Sequence, residues 1–137
     1  MKVTNNEKCT FCNKHNESIP HLFWSCDTVQ RFWLMFETFV NEKCINMINM
    51  KLTEDFVLFG NAKDFESGEI FDFIILFAKF FLYTNVKWKI NACFFYVFQK
   101  QLLTRHRIED YLSYVNMEHA SFRSEWLCYM SFVQNDG

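Results

Sequence analysis

From Asp27 onward the chain alternates apolar runs with short polar breaks, and within most runs the apolar positions recur at helical spacing. Val29, Phe32, Trp33, Phe36 and Val40 fall at i, i+3, i+4, i+7 and i+11, which predicts an amphipathic helix opened by Asp27 as its N-cap. The more polar Asn41–Met50 stretch predicts a loop. Thr53-Glu-Asp-Phe then predicts a short helix or turn, closed by Gly60. Glu66 to about Trp88 carries the strongest helical pattern, with Ser67 or Gly68 at its start, Glu69 and Asp72 complementing the N-terminal dipole, and Lys87 and Lys89 at the far end. Ile70, Phe73, Ile74, Phe77 and Phe81 cover one face of it, while Phe71, Ile75, Leu76 and Phe80 fill others, so this helix is expected to be central and buried. Ala92–Thr104 repeats apolar residues at Phe95, Phe98 and Leu102, although the alternation in CFFYVFQ also fits a strand. Ile108–Val133, with Tyr111, Leu112, Val115, Phe122, Trp126, Leu127 and Met130, predicts one long helix or two shorter ones. Residues 1–8 form a polar lead-in and 135–137 a polar tail.

Composition agrees with this pattern. Half of the 137 residues are apolar and 18 are Phe, while Gly (3) and Pro (1) are scarce, which disfavours disorder and turn-rich all-β folds and favours a mainly α body. The length suits one domain with one core. Spanning a bilayer takes about 20 apolar residues; the nearest candidate, Ile70–Tyr83, is shorter and is interrupted by Asp72 and Lys79. It reads better as a helix buried in protein than as a membrane segment, and no membrane partner is expected. The N-terminal MKVTNNEKCTFC has no apolar h-region, so a reducing intracellular compartment, nucleus or cytoplasm, is expected.

Candidate chemistry is concentrated before Asp27. Cys9, Cys12, His21 and Cys26 follow the pattern C-x2-C-x8-H-x4-C, three thiols and an imidazole within 18 residues of chain. Such a set supplies the tetrahedron that a structural Zn2+ takes. We therefore read residues 1–26 as a zinc knuckle and 27–137 as a helical body packed with it into one domain. Pro20 precedes His21 and is expected to hold itself and Ile19 extended. His15 is a rival ligand in exposed-looking loop sequence and ranks below His21. Cys44, Cys93, His106 and His119 are isolated in sequence from one another. The competing account is that these cysteines are small buried apolar residues and His21 a satisfied polar one.

Enzyme motifs are missing from the sequence. It has no nucleophile elbow, phosphate-binding glycine loop, HExxH helix or deaminase signature, and four protein ligands would close the metal site to a reacting water. A non-enzymatic role is expected. Net charge is −2, which removes a whole-molecule positive field as an argument for nucleic-acid binding. Charge is uneven, however. Between Phe73 and Ile108 there is no acid, while Lys79, Lys87, Lys89, Lys100, Arg105 and Arg107 are basic; residues 54–72 are mostly acidic. Mutual neutralisation of the two segments is the favoured account, phosphate contact by the basic one the alternative.

CTFC, then ESIPHLFWSC, then VQRFW resembles the zinc-binding region that follows the reverse transcriptase domain of LINE-type, non-long-terminal-repeat retrotransposons. The positions carrying the resemblance are Cys9, Cys12, Glu17, His21, Leu22, Phe23, Trp24, Cys26, Phe32 and Trp33, and it extends into FDFIILFAKFFLY and KINACFFYVFQKQL. The resemblance implies a role in holding template RNA or target DNA. The polymerase aspartates and the endonuclease of such elements are absent from this sequence. On that basis Lys8, Phe11, Lys14 and Trp24 on the knuckle, and Lys87, Lys89, Arg105 and Arg107 in the basic run, are candidate contacts for RNA or single-stranded DNA, the competing account for Phe11 and Trp24 being that they pack under the zinc or against the first helix, which is the favoured account for Trp24. The alternative is a protein-interaction module that zinc merely staples, with a protein partner on its aromatic surface.

Overall fold

The computed structural model describes residues 8–14, 16, 18–44, 50–60, 68–90 and 94–133. The fold is mainly α. Among the described residues there is no strand, only an isolated antiparallel bridge between Lys8 and Asn16. A wide helical turn at His21–Ser25 is followed by α1 (Asp27–Lys43), α2 (Glu54–Phe59), α3 (Gly68–Lys87), α4 (Phe95–Val115) and α5 (His119–Trp126), and a 3-10 segment closes the order at Leu127–Phe132.

The apolar stripe of α1 is buried as its spacing requires: Val29, Phe32, Trp33, Phe36 and Val40 are all 2% exposed or less. Asp27 is not the N-cap. Cys26 holds that position in extended conformation (ψ 135°), and Asp27 becomes the first helical residue, where its carboxylate still complements the dipole. At the other end the helix runs through Asn41 to Lys43, into the stretch read as loop, because Ser131 Oγ donates to the Lys43 carbonyl at 2.9 Å and so satisfies a terminal acceptor. Polar residues of α1 also anchor the segment leading into α2. Glu37 accepts from Leu52 N (2.7 Å), and the Asn41 amide both accepts from Met50 N (2.7 Å) and donates to Met50 O (2.9 Å), imitating a strand pairing with one side chain. The expected loop lies otherwise at 45–49, outside the described residues.

Thr53 caps α2 as predicted, its hydroxyl accepting from Phe56 N at 3.2 Å, and Gly60 ends it at φ 72°, ψ 156°. Of the predicted starts of α3, Gly68 opens it; Glu66 and Ser67 lie outside the described residues. Asp72 and Lys79, the charges that interrupt its apolar run, share a face at i, i+7. Lys79 Nζ donates to the Leu58 carbonyl near the end of α2 at 3.3 Å, the negative pole of that helix. Burial pushes the Lys79 pKa down, and neighbouring Asp72 offsets part of that. No described helix is long and apolar enough to cross a membrane.

The second half of the chain departs further from the sequence pattern. Phe95 begins α4 and rules out the strand alternative from that residue on, while Ala92 and Cys93 lie outside the described residues. Rather than breaking between Thr104 and Ile108, α4 continues to Val115; the break comes at Asn116–Met117, where Met117 takes φ 61°. What remains is the short α5 and the 3-10 segment. Trp126, Tyr129 and Phe132 of this terminal stretch are at most 2% exposed and close the core. That core is an aromatic cluster. Phe36 lies within ring contact of Phe71 (6.1 Å), Phe95 (5.9 Å), Phe98 (6.0 Å) and Phe132 (5.4 Å), and Phe32 stacks on Phe81 at 5.7 Å. Offset and edge contacts of this kind contribute roughly 0.5–1.5 kcal/mol each beyond the apolar area they bury.

Candidate metal centre

Cys9 and Cys12 sit on a tight turn in which Asn13 N donates back to the Cys9 carbonyl at 2.8 Å and Asn13 takes the left-handed conformation, φ 55°. Asparagine tolerates that region better than most residues. The Lys8–Asn16 bridge closes the loop around the turn. The other two candidates come from the wide turn before α1. Ser18 starts it: its carbonyl accepts from Leu22 N (2.7 Å) and its hydroxyl from His21 N (3.2 Å), a helix N-cap that the apolar periodicity does not announce. Pro20 is helical (φ −62°, ψ −36°), not extended as expected, and Ile19 is helical with it. A proline in the first helical turn loses no hydrogen bond, since that N–H has no intrahelical acceptor.

The H-x4-C spacing explains why the turn is wide. In a regular α-helix residues five apart point about 140° from one another. Here Cys26 N donates to the His21 carbonyl at 3.1 Å, an i to i+5 closure that draws the two ends of the turn together. Two side chains of α1 hold the turn in place. The Trp33 indole N–H donates to the Phe23 carbonyl at 2.7 Å, and the Gln30 amide donates to the Trp24 carbonyl.

The result brings all four candidate ligands together, with their donor atoms within 4.8 Å of one another. Sulfurs about 2.3 Å and a ring nitrogen about 2.0–2.1 Å from a common tetrahedral centre would stand about 3.8 Å apart, sulfur to sulfur, and about 3.5 Å, sulfur to nitrogen. Cys9 Sγ lies 3.7 Å from Cys26 Sγ, and Cys12 Sγ lies 3.5 Å from His21 Nε2. A disulfide needs about 2.05 Å, so the Cys9–Cys26 separation is that of two ligands rather than of a covalent pair. Cys9, His21 and Cys26 are buried and Cys12 is partly buried, which shields the site from water. Cys26 is also the N-cap of α1, so the negative charge of a thiolate there meets the positive end of a 17-residue helix. The donor set fits a metal ion.

The remaining sequence candidates do not converge on this site. His15 and Glu17 lie outside the described residues. Phe11, expected on the knuckle surface, is 7% exposed and belongs to the core, because the turn carrying Cys9 and Cys12 is itself seated on that core. Trp24 is partly buried and packs against the same core. Lys8 and Lys14 are exposed beside the ligands. Lys87 and Lys89 are exposed at the end of α3, with Trp88, 64% exposed, between them. Arg105 and Arg107 are exposed on α4 but point about 200° apart, on opposite sides of His106. Arg105 already pairs with Glu109 at 2.7 Å. Cys44 is buried at the end of α1, away from the four-residue cluster, and His106 and His119 face the interface of α4 with α5. Cys93 lies outside the described residues.

No family model, no curated protein and no solved structure matches the chain.

Proposed function

We propose that the chain is a non-catalytic helical domain stapled by a structural zinc ion, of the kind its sequence resembles in retrotransposon reverse transcriptases, and that it contacts RNA or single-stranded DNA. The observation that carries the zinc reading is the spacing of Cys9, Cys12, His21 and Cys26, whose sulfur–sulfur and sulfur–nitrogen separations of 3.7 and 3.5 Å fit a zinc tetrahedron. Three thiolates and an imidazole favour zinc over the oxygen-seeking ions magnesium and calcium. Four protein ligands complete a structural site and leave no position for a reacting water.

For nucleic acid, the supporting feature is the exposed Lys87-Trp88-Lys89 end of α3, where Lys87 Nζ lies 5.6 Å from the centre of the Trp88 ring. An aromatic face between two cations can stack a base while the lysines meet phosphates. Lys8 and Lys14 add exposed charge beside the metal. Phe11 and Trp24 pack inward and do not offer a ring face for stacking.

Two measurements test the proposal. Zinc analysis should return one equivalent per chain, and cobalt substitution should give a thiolate-to-cobalt absorption that weakens in Cys9→Ser. Anisotropy titrations with labelled RNA and single-stranded DNA, at about 50 and about 200 mM salt, should show binding that weakens steeply with salt. Trp88→Ala and the paired Lys87→Ala, Lys89→Ala variants should lose most of that binding. Zinc-loaded protein that binds neither nucleic acid at low salt would sink the nucleic-acid reading. The protein-interaction alternative is favoured by one specific observation, the apolar outward face of α4.

A further inference from the structure

Along its first half α4 turns Phe95, Phe98 and Leu102 into the core, all 8% exposed or less. Along its second half the pattern inverts. The inward face carries His106, Asp110 and Ser113 against α5: His106 packs on Trp126 (4.7 Å) and Phe122 (5.2 Å), and Asp110 Oδ1 meets His119 Nε2 at 2.9 Å. The outward face carries Ile108 (51% exposed), Tyr111 (67%), Leu112 (43%) and Val115 (55%). Isolated apolar residues on a surface are ordinary, but these four stand at i, i+3, i+4 and i+7, the spacing of a continuous helical seam. A helix whose apolar stripe faces away from its own core is built to be covered.

We propose that this stripe is a self-association surface, packed antiparallel against the same stripe of a second copy about a two-fold axis. The order of charge along it selects that occupant. Exposed Arg105 and Arg107 flank its N-terminal end, Arg105 in a half-exposed i, i+4 pair with Glu109 that is weak enough to be shared with a second acid, and exposed Glu118 lies just past its C-terminal end. A two-fold axis passing between Tyr111 and Leu112 sets Ile108 against Val115 and Tyr111 against Leu112, and brings the arginine end of each copy to the Glu118 end of the other. Parallel packing would oppose arginine to arginine, and a partner helix of one charge sign would satisfy one end only. Isologous pairing of this kind is the commonest form of oligomer symmetry. From Ile108 to Val115 the stripe is about 12 Å long and about 10 Å wide, well short of the roughly 800 Å2 that each copy buries in a standard interface. The association is therefore weak and concentration-dependent.

Sedimentation of the zinc-loaded chain from about 10 μM to about 1 mM, the range in which so small an interface acts, should show a monomer converting to dimer. Leu112→Asp, at a position whose side chain lies outside the core, should weaken association at least tenfold with helical content and metal stoichiometry unchanged. Arg105→Glu should weaken it, and combining Arg105→Glu with Glu118→Arg should restore it, a recovery that a mere loss of folding could not produce. The proposal is overturned by a monomer at every concentration, by association that Leu112→Asp leaves intact, or by a double variant that does not recover. A monomer that instead binds anionic vesicles through this stripe would also overturn it, in favour of a lipid surface.

Discussion

Two single positions carry consequences that their residue types alone would not announce. Gly60 ends α2 at φ 72°, ψ 156°, a region that residues with a side chain hardly populate, and an added Cβ would stand 3.2 Å from Asp72 Oδ1. That carboxylate oxygen is already buried with no hydrogen-bond partner among the described residues. Gly60→Ala should therefore cost about 1–3 kcal/mol, read as a lower urea midpoint at unchanged m-value. His106 is the second case. Its ring is enclosed by Phe122 and Trp126, its Nε2 is buried without a partner among the described residues, and burial pushes its pKa below the ordinary histidine value despite the opposing pull of Asp110. The unfolded chain then takes up the proton first as pH falls. The contribution of His106 to stability is complete above its unfolded pKa of about 6.5 and is lost as pH drops from there toward the lower folded value. His106→Phe should flatten the pH dependence of stability between about pH 7.5 and 5 relative to wild type. An equally steep profile in both proteins would show that the loss belongs to another group.

At the scale of elements, the metal turn and α1 act as one unit. Cys26 is both candidate ligand and N-cap, and Trp33 and Gln30, both within the first two turns of the helix, hold the carbonyls of Phe23 and Trp24. Ordering the turn is thus part of ordering the first turns of α1. Trp33→Phe keeps a buried ring but deletes the 2.7 Å bond, leaving the Phe23 carbonyl without that donor. It should cost about 1 kcal/mol, and because metal binding and turn formation are linked it should weaken metal affinity about fivefold in chelator competition. Stability lowered with affinity untouched would mean that the turn is fully formed without the metal.

For the whole molecule, a metal held by the four candidate ligands would act well beyond the N-terminal turn. The His21–Ser25 turn, which carries one candidate ligand and leads into another, packs against α1, α2 and α3, and the Lys79 ammonium group lies 6.0 Å from the centre of the Phe23 ring. Zinc binding to small structural sites is worth roughly 10–16 kcal/mol, comparable with the roughly 5–15 kcal/mol that stabilises an entire domain. Chelation should therefore loosen more than the N-terminal loop. Amide exchange should accelerate across α1 and the middle of α3, with near-ultraviolet dichroism reduced. Exchange that changes only before Asp27 would instead confine the metal to a local role. Phe36→Ala offers the comparison from the opposite side of the core. Its ring is fully buried among other aromatics, and its loss should cost about 3–5 kcal/mol without altering metal stoichiometry.

What the sequence determined by itself is what depends on near neighbours along the chain. The helical spacing of Val29 to Val40, the Thr53 cap, the stop at Gly60 and the approach of Phe95, Phe98 and Leu102 to the core all stem from local periodicity and backbone preference. The four candidate ligands were legible for the same reason, since donor type and separation are written directly in the chain. Tertiary structure decided the rest. Phe11 turned inward because the Cys9–Cys12 turn sits on a core rather than in solvent, and Pro20 became helical because Ser18 could cap the turn that His21 and Cys26 need. Helix α4 ran through Arg105 and Arg107 because α5 supplied partners for His106 and Asp110, a pairing no local pattern encodes. That same packing left Ile108, Leu112 and Val115 facing outward. Spacing shows that such residues share a face; only the placement of α5 decides whether that face lies against the core or away from it.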